Sequence, residues 1–178
     1  MEISLMMRRP VSLVSAIVLL LGVSGGTLFL NAKAKSPGND EAAIKALYSD
    51  FNNAFGKKDV NAIMASYAPD VFAFDVIPPR EYPNWDAYKK DWEGLFAAFP
   101  GPVTTNISEL KITVVGSIAY SRSIDDAMFT AKDGSKVHMV VRVTGVLRKS
   151  NGKWLIVQEH VSVPVDPTTG KADLLSAP

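Results

Sequence analysis

One stretch near the C-terminal end constrains the fold more than any other: Val137 to Pro164, reading VHMVVRVTGVLRKSNGKWLIVQEHVSVP. Two runs rich in Val, Ile and Leu flank Ser150-Asn151-Gly152. Asn and Gly tolerate the positive φ angles of a tight hairpin turn, so the runs predict a pair of antiparallel strands. Side chains alternate between the two faces of a strand. His138, Val140, Arg142, Thr144 and Val146 are therefore expected on one face of the first strand. Trp154, Ile156, Gln158, His160 and Ser162 are expected to share a face of the second. Arg142 and His160 are polar residues inside otherwise apolar strands, which is where a sheet presents chemistry to a cavity. The opposite face would then carry Met139, Val141, Val143, Leu147, Leu155, Val157, Val161 and Val163. An exposed apolar patch of that size marks an interface, so a dimer is expected.

Upstream, the period is helical. Ile44, Leu47, Tyr48, Phe51 and Phe55 recur at three- and four-residue steps and predict an amphipathic helix, opened by Asn39 or Asp40 and ended by Gly56. Asp59 caps a second, shorter helix carrying Ile63, Met64 and Tyr67, which Pro69-Asp70 stops. Val71 to Asp75 reads as a short strand, and the three prolines between Ile77 and Pro83 as a loop. Asn84 opens a third helix with Trp85, Tyr88, Trp92, Leu95 and Phe99 along one stripe, and Pro100-Gly101-Pro102 stops it. The period then changes to two. Val103–Val115 and Ile118–Thr130 are long strands, turning at Gly116-Ser117 and at Lys132-Asp133-Gly134. Helices first and strands after imply an α+β fold: three N-terminal helices packed on a curved, mainly antiparallel sheet, with a conical cavity between the layers.

The ends of the chain read differently. Arg8 and Arg9 precede an apolar run, Val11 to Leu30, and Ala32-Lys33-Ala34 fits a secretory cleavage pattern. Residues 1–34 are expected to be a signal peptide cleaved after Ala34, sending the protein to the periplasm or outside the cell. The alternative is a membrane anchor formed by residues 10–30, long enough to cross a bilayer. Removing residues 1–34 would leave 16 basic and 17 acidic residues. Residues 35–39 form a linker, 40–165 one domain, and 166–178 a polar tail expected to be mobile after Pro167. There is no cysteine, so disulfides and thiolate metal sites are excluded. No block of like charge stands out, and nucleic acid is not an expected partner.

Three stretches carry a resemblance to a known family. They are FNNAFGKKDVNAIMASYAPDVFAFD, the aromatic helix after the Pro-rich loop, and RVTGVLRKSNGKWLIVQEHVSVP, similar to an R-x-T…G-x-W…H-x-S ending. Together they resemble the nuclear-transport-factor-2-like superfamily, in its SnoaL-like (DUF4440-type) branch related to ketosteroid isomerase. The resemblance covers about Asp40 to Pro164. It implies a cone-shaped fold, a small-molecule pocket, a sheet-to-sheet homodimer and no cofactor. It also places Asp75 where ketosteroid isomerases hold their proton-transferring aspartate. Those isomerases polarise the substrate carbonyl with a Tyr on the first helix; the matching residue here is Phe51, which has no hydrogen to donate. Tyr48 stands one turn away.

The residues themselves leave two readings open at each position. Asp75 is a general base with a raised pKa, or a strand-end Asp that caps the loop or pairs with Arg80. Arg142 anchors a carboxylate and His160 relays a proton, or both belong to a structural network. His138 is read as peripheral. Trp92, with Leu95, is core or ligand wall; Tyr88 belongs to the same stripe, and Tyr82 and Trp85 lie nearer the cavity mouth. One of Asp125 and Asp126 must face inward, as Arg142's partner or as a second acid. No helical metal-ligand spacing is present, so no metal is expected. Two functions follow. One is a pocket for a small hydrophobic or carboxylate-bearing molecule, with cofactor-free isomerase- or cyclase-like chemistry by Asp75 and His160. The other is a non-catalytic, dimeric binding or interaction module.

Overall fold

The computed structural model describes residues 37–176. The predicted signal peptide and the first two residues of the predicted linker, Lys35 and Ser36, lie outside them. Helix α1 (Pro37–Gly56) is followed by α2 (Val60–Met64), β1 (Tyr67–Phe74) and α3 (Trp85–Ala98). Strands β2 (Val103–Val115), β3 (Ile118–Thr130), β4 (Lys136–Ser150) and β5 (Lys153–Ser162) complete the domain. They form one five-stranded sheet in the order β1-β5-β4-β3-β2. All neighbours are antiparallel except β1, which runs parallel to β5. This is the α+β architecture expected, with helices on one face of an open, curved sheet.

Capping chemistry sets the helix boundaries. The side chain of Asp59 accepts from Ala62 N–H at the start of α2, and that of Asn84 accepts from Ala87 N–H at the start of α3. Helix α1 begins earlier than expected, at Pro37, so Asp40 sits inside its first turn. Proline suits a first helical position because its missing N–H would have no partner there. Asp40 accepts from Lys149 Nζ and, at 3.2 Å, from the indole N–H of Trp154. The hairpin is thereby tied to the start of α1, and a carboxylate stands at the positive end of the helix.

Strand β1 is longer than expected. Pro69 and Asp70 lie within it instead of ending the preceding helix. Pro69 is tolerated because β1 is an edge strand, and its pairing with β5 is irregular between Tyr67 and Phe72. The C-terminal tail also departs from expectation. Asp166 N–H donates to Lys171 O, Asp173 N–H to Pro164 O, and Val140 N–H to Leu174 O. Strand β5 ends opposite Arg142, so this folded-back segment satisfies a β4 donor that β5 does not reach.

The core joins α1 to the sheet through Ile44, Tyr48 and Phe55, with Leu147, Trp154 and Ile156 opposite. Helix α3 adds Tyr88 and Trp92. Ile44, Ile63, Met64, Leu147 and Ile156 are fully buried, each worth about 1.5–3 kcal/mol of removal from water. Truncating Leu147 to Ala would cost about 2–5 kcal/mol, the range for a buried leucine that leaves a cavity.

In β4, and in β5 after Val157, the faces of the sheet are the reverse of those expected, while Trp154 and Ile156 point inward as the alternation predicts. In β4 the inner residues are Met139, Val141, Val143, Gly145 and Leu147, paired with Ala127, Asp125, Ser123, Ser121 and Ala119 of β3. Arg142, Thr144 and Arg148 are exposed on the outer face. In β5 a bulge breaks the alternation. Leu147 pairs with Ile156 but Val146 pairs with Gln158, so Val157 is the extra residue. Trp154 and Ile156 point inward before the bulge; Glu159 and Val161 do so after it. His160 is turned out, its ring 5.6 Å from that of Phe74. The patch assigned to the outside, with Met139, Val141, Val143, Leu147 and Val161, therefore faces the helices.

Candidate functional site

Between the helices and the sheet lies a cavity of about 270 Å³. Helix α1 contributes Tyr48, Phe51 and Phe55, and α3 contributes Asp91, Trp92 and Leu95. Ala127 and Phe129 come from β3, Val137, Met139, Val141 and Val143 from β4, and Glu159 and Val161 from β5. Asp75, Val76 and Ile77 close one side. The aromatic rings brace one another: Trp92 lies edge-on to Phe51 at 5.8 Å and to Phe55 at 5.3 Å. The walls are thus rigid and mostly apolar, with a few polar groups, which is the usual build of a small-molecule site.

Four of the lining residues are acids: Asp75, Asp91, Asp125 and Glu159. Asp75 follows the last residue of β1. Its Oδ1 accepts from Val76 N–H at 2.6 Å, and its Oδ2 lies 3.0 Å from the Tyr88 hydroxyl. Burial pushes its pKa up to about 6, reinforced by the charge of Asp91 and opposed by these hydrogen bonds. Glu159 is buried to 4% exposure. Its Oε2 lies 2.7 Å from the Tyr67 hydroxyl and 2.8 Å from that of Tyr88. Burial pushes Glu159 up to about 7, although both tyrosine hydrogen bonds favour its charged form. Asp125 accepts from the Ser123 hydroxyl at 2.7 Å, and burial raises it to about 6. Asp91, raised by burial as well, accepts from the Tyr82 hydroxyl at 2.7 Å.

Tyr48 places its hydroxyl on the sheet, 2.5 Å from Ser121 Oγ. Gly145 makes room: a Cβ there would lie 2.6 Å from the tyrosine oxygen. Burial pushes the phenol well above its ordinary value, so it stays neutral. A neutral phenol can donate to a ligand oxygen when Ser121 supplies the hydrogen between the two hydroxyls. Phe51, at the position the resemblance matches to a donor, offers only its ring to the cavity.

Of the residues predicted for the site, the structure brings Asp75, Tyr48 and Trp92 to the cavity wall. Tyr88 is fully buried behind it, reaching the site through its hydroxyl. Tyr82 is buried against Asp91. Trp85 donates to Met64 O and borders a separate shallow hollow with Pro69, Asn84 and Asp86. Arg142 and His160 are exposed on the far side of the sheet, so the expected anchor and relay do not meet the cavity. His138 lies on that outer face too, 2.9 Å from Asp126. Asp125 is the inward-facing member of its pair, as a second acid and not as Arg142's partner. Glu159 and Asp91 were missed. Asp91 could have been found one position before Trp92 on the aromatic stripe. Glu159 had no local signal, because only the bulge turns it inward.

Comparison with known proteins follows the fold. The model of the SnoaL-like domain family matches residues 44–166. No curated protein sequence matches the chain. A solved structure of a nuclear-transport-factor-2-like protein of unknown function from Pseudomonas putida superposes with a TM-score of 0.73 at 26% identity, covering 81% of this chain and 100% of that one. A nuclear-transport-factor-2-like superfamily protein from Salmonella enterica gives a TM-score of 0.67 at 17% identity, covering 78% and 100%. A ketosteroid isomerase-like protein from Erwinia carotovora gives 0.59 at 23% identity, covering 68% and 93%. The last two likenesses speak for the fold alone.

Proposed function

We propose, for a chain that belongs to the SnoaL-like domain family, that the cavity binds an apolar, uncharged small molecule and moves a proton on it, with Asp75 as base. The observation that carries this reading is the setting of Asp75. Its carboxyl stands in a largely apolar wall, is oriented by Val76 N–H and Tyr88, and is pushed up by burial to about 6. A base is most effective when its pKa lies close to the working pH. Carbonyl compounds with an acidic neighbouring C–H fit the site, and isomerisation, cyclisation or dehydration are the reactions such a base supports. A structural neighbour described as ketosteroid isomerase-like lends this class to the fold, not to the chain.

Among the described residues the lining has no Lys, Arg or His, and its acids would repel an anion. With Arg142 outside, a carboxylate-bearing ligand loses its expected anchor. Tyr48 is a group able to steady a developing oxyanion. The reading is tested by screening apolar ketones and hydroxy-ketones for binding by thermal shift and for turnover. Asp75→Asn should keep binding and lower turnover by 10²-fold or more, within the usual range for a lost general base. Turnover unchanged in that variant overturns Asp75's role.

One observation favours the second reading, a carrier without catalysis: Phe51 gives α1 an apolar ring where a donor would polarise a carbonyl. Ligand binding without turnover across the screen would select it. With the apolar patch turned inward, a homodimer through the outer sheet face rests on the family resemblance alone; it belongs to either reading, and a monomeric mass by light scattering would overturn it.

A further inference from the structure

The strongest unexplained relationship in the molecule lies behind the cavity wall. Three oxygen–oxygen contacts link four side chains: Tyr67 to Glu159 at 2.7 Å, Tyr88 to Glu159 at 2.8 Å, and Tyr88 to Asp75 at 3.0 Å. Each contact needs one hydrogen between its oxygens. A phenol carries a single O–H, so the two tyrosines bring two hydrogens to three contacts. Were both acids ionised, the Tyr88 oxygen would face one carboxylate with its lone pairs. The third hydrogen must sit on a carboxyl group.

We propose that Asp75 and Glu159 hold one proton between them, exchanged through the hydroxyl of Tyr88, so that Asp75 can stand as a base or as an acid. This rests on the reading of Asp75 as the base. The exchange balances without any other reactant. With the proton on Glu159 Oε2, Tyr88 accepts from Glu159 and donates to an ionised Asp75. In the exchange Glu159 gives its proton to the Tyr88 oxygen while Tyr88 gives its own to Asp75 Oδ2. The O–H bond on Glu159 breaks, one forms on Asp75, and Tyr88 is neutral before and after. The first arrangement presents Asp75 to the substrate as a base, the second as an acid. Glu159 is a positioning residue here, since it acts on the substrate only through Asp75.

The surroundings favour one proton over none or two. Asp75 and Asp125 face Glu159 from the loop after β1 and from β3, Tyr67 and Tyr88 bond to it, and Tyr48 of α1 stands near. Asp91 of α3 faces Asp75. Two buried negative charges bridged by one phenol repel each other strongly, so the acids lose their protons in two macroscopic steps belonging to the pair. Both groups are raised by burial, which favours keeping one proton within the pair.

Carbon-13 NMR of the side-chain carboxyl carbons, followed from pH 4 to pH 9 in the ligand-free protein, tests the pair without any activity. The Asp75 and Glu159 carbons should each trace two steps with shared midpoints. Asp75→Asn should leave Glu159 a single step at lower pH, and Glu159→Gln, which keeps an acceptor for both tyrosines, should leave Asp75 a single step. Separate single-step curves in the unmodified protein, each indifferent to the other's substitution, would overturn the proposal whether or not the variants fold. The two readings fail separately. Two-step titration in a protein that turns nothing over removes catalysis but keeps the shared proton. Independent titrations beside turnover that depends on Asp75 remove the shared proton but keep the base.

Discussion

Tyr48 can lay its hydroxyl on the sheet because Gly145 has no side chain: a Cβ at Gly145 would stand 2.6 Å from the tyrosine oxygen and 2.9 Å from Ser121 Oγ. Both neighbours are buried, so neither can swing into solvent. Gly145→Ala should therefore destabilise by about 1–3 kcal/mol, as overpacking does. Tyr48→Phe removes the atom that the new methyl meets first. In a double-mutant cycle the pair should lose less stability than the sum of the single losses, by about 0.5–3 kcal/mol. Additive losses in denaturant melts would mean that Gly145 is needed for another reason.

Stability should fall as pH rises through the neutral range. Asp75 and Glu159 ordinarily titrate at 3.8 and 4.5, and burial raises them to about 6 and about 7. A carboxyl whose folded pKa is raised holds its proton in the folded state after the unfolded chain has lost it. Below the unfolded values both states are protonated and folding pays nothing; through the folded values the buried group must ionise, and stability is lost. A rise of about two pH units in one group corresponds to about 3 kcal/mol, and the shared proton means that the two losses do not simply add. Melting temperature should be higher at pH 5 than at pH 8, and Glu159→Gln should flatten the difference. A melting temperature that climbs over this range would contradict the buried acids.

Arg142→Met should be nearly silent. The side chain is exposed on the outer face, opposite Ile124 and Ser162 on the neighbouring strands. Surface substitutions away from special features change stability by about 0.5 kcal/mol or less. Ligand response in the thermal-shift screen should match that of the unmodified protein. Lost binding would show that the outer face takes part in recognition.

Export is a proposal from the N-terminal sequence, with Arg8-Arg9, the apolar run and Ala32-Lys33-Ala34 as its motive. The protein recovered from the exported fraction should have an intact mass that begins at Lys35. Full-length chain in the membrane fraction would favour the anchor formed by residues 10–30.

Much of the fold was legible because its signals are local. The caps at Asp59 and Asn84, the prolines that end α3 and the Asn151-Gly152 turn act within a few residues, and the elements lie near where they predict. The change of period at Val103 separates helices from strands for the same reason. Asp75 was legible as an acid at a strand end, and Tyr48 and Trp92 as members of helical stripes. The sheet's inner face was not. In β4 apolar residues occupy both parities, with Val140 and Val146 on one side and Met139, Val141 and Val143 on the other, so alternation alone cannot say which side meets the helices. A one-residue offset exchanges every side chain between faces. That offset occurs at Val157, where the pairing of β5 with β4 shifts. It carries Glu159 into the cavity and His160 out to Phe74, although the two are adjacent in the chain. Sequence by itself determined the elements, their order and the family they resemble. Tertiary pairing decided which acids share the cavity, because a bulge is a relation between two strands and leaves no mark in either one.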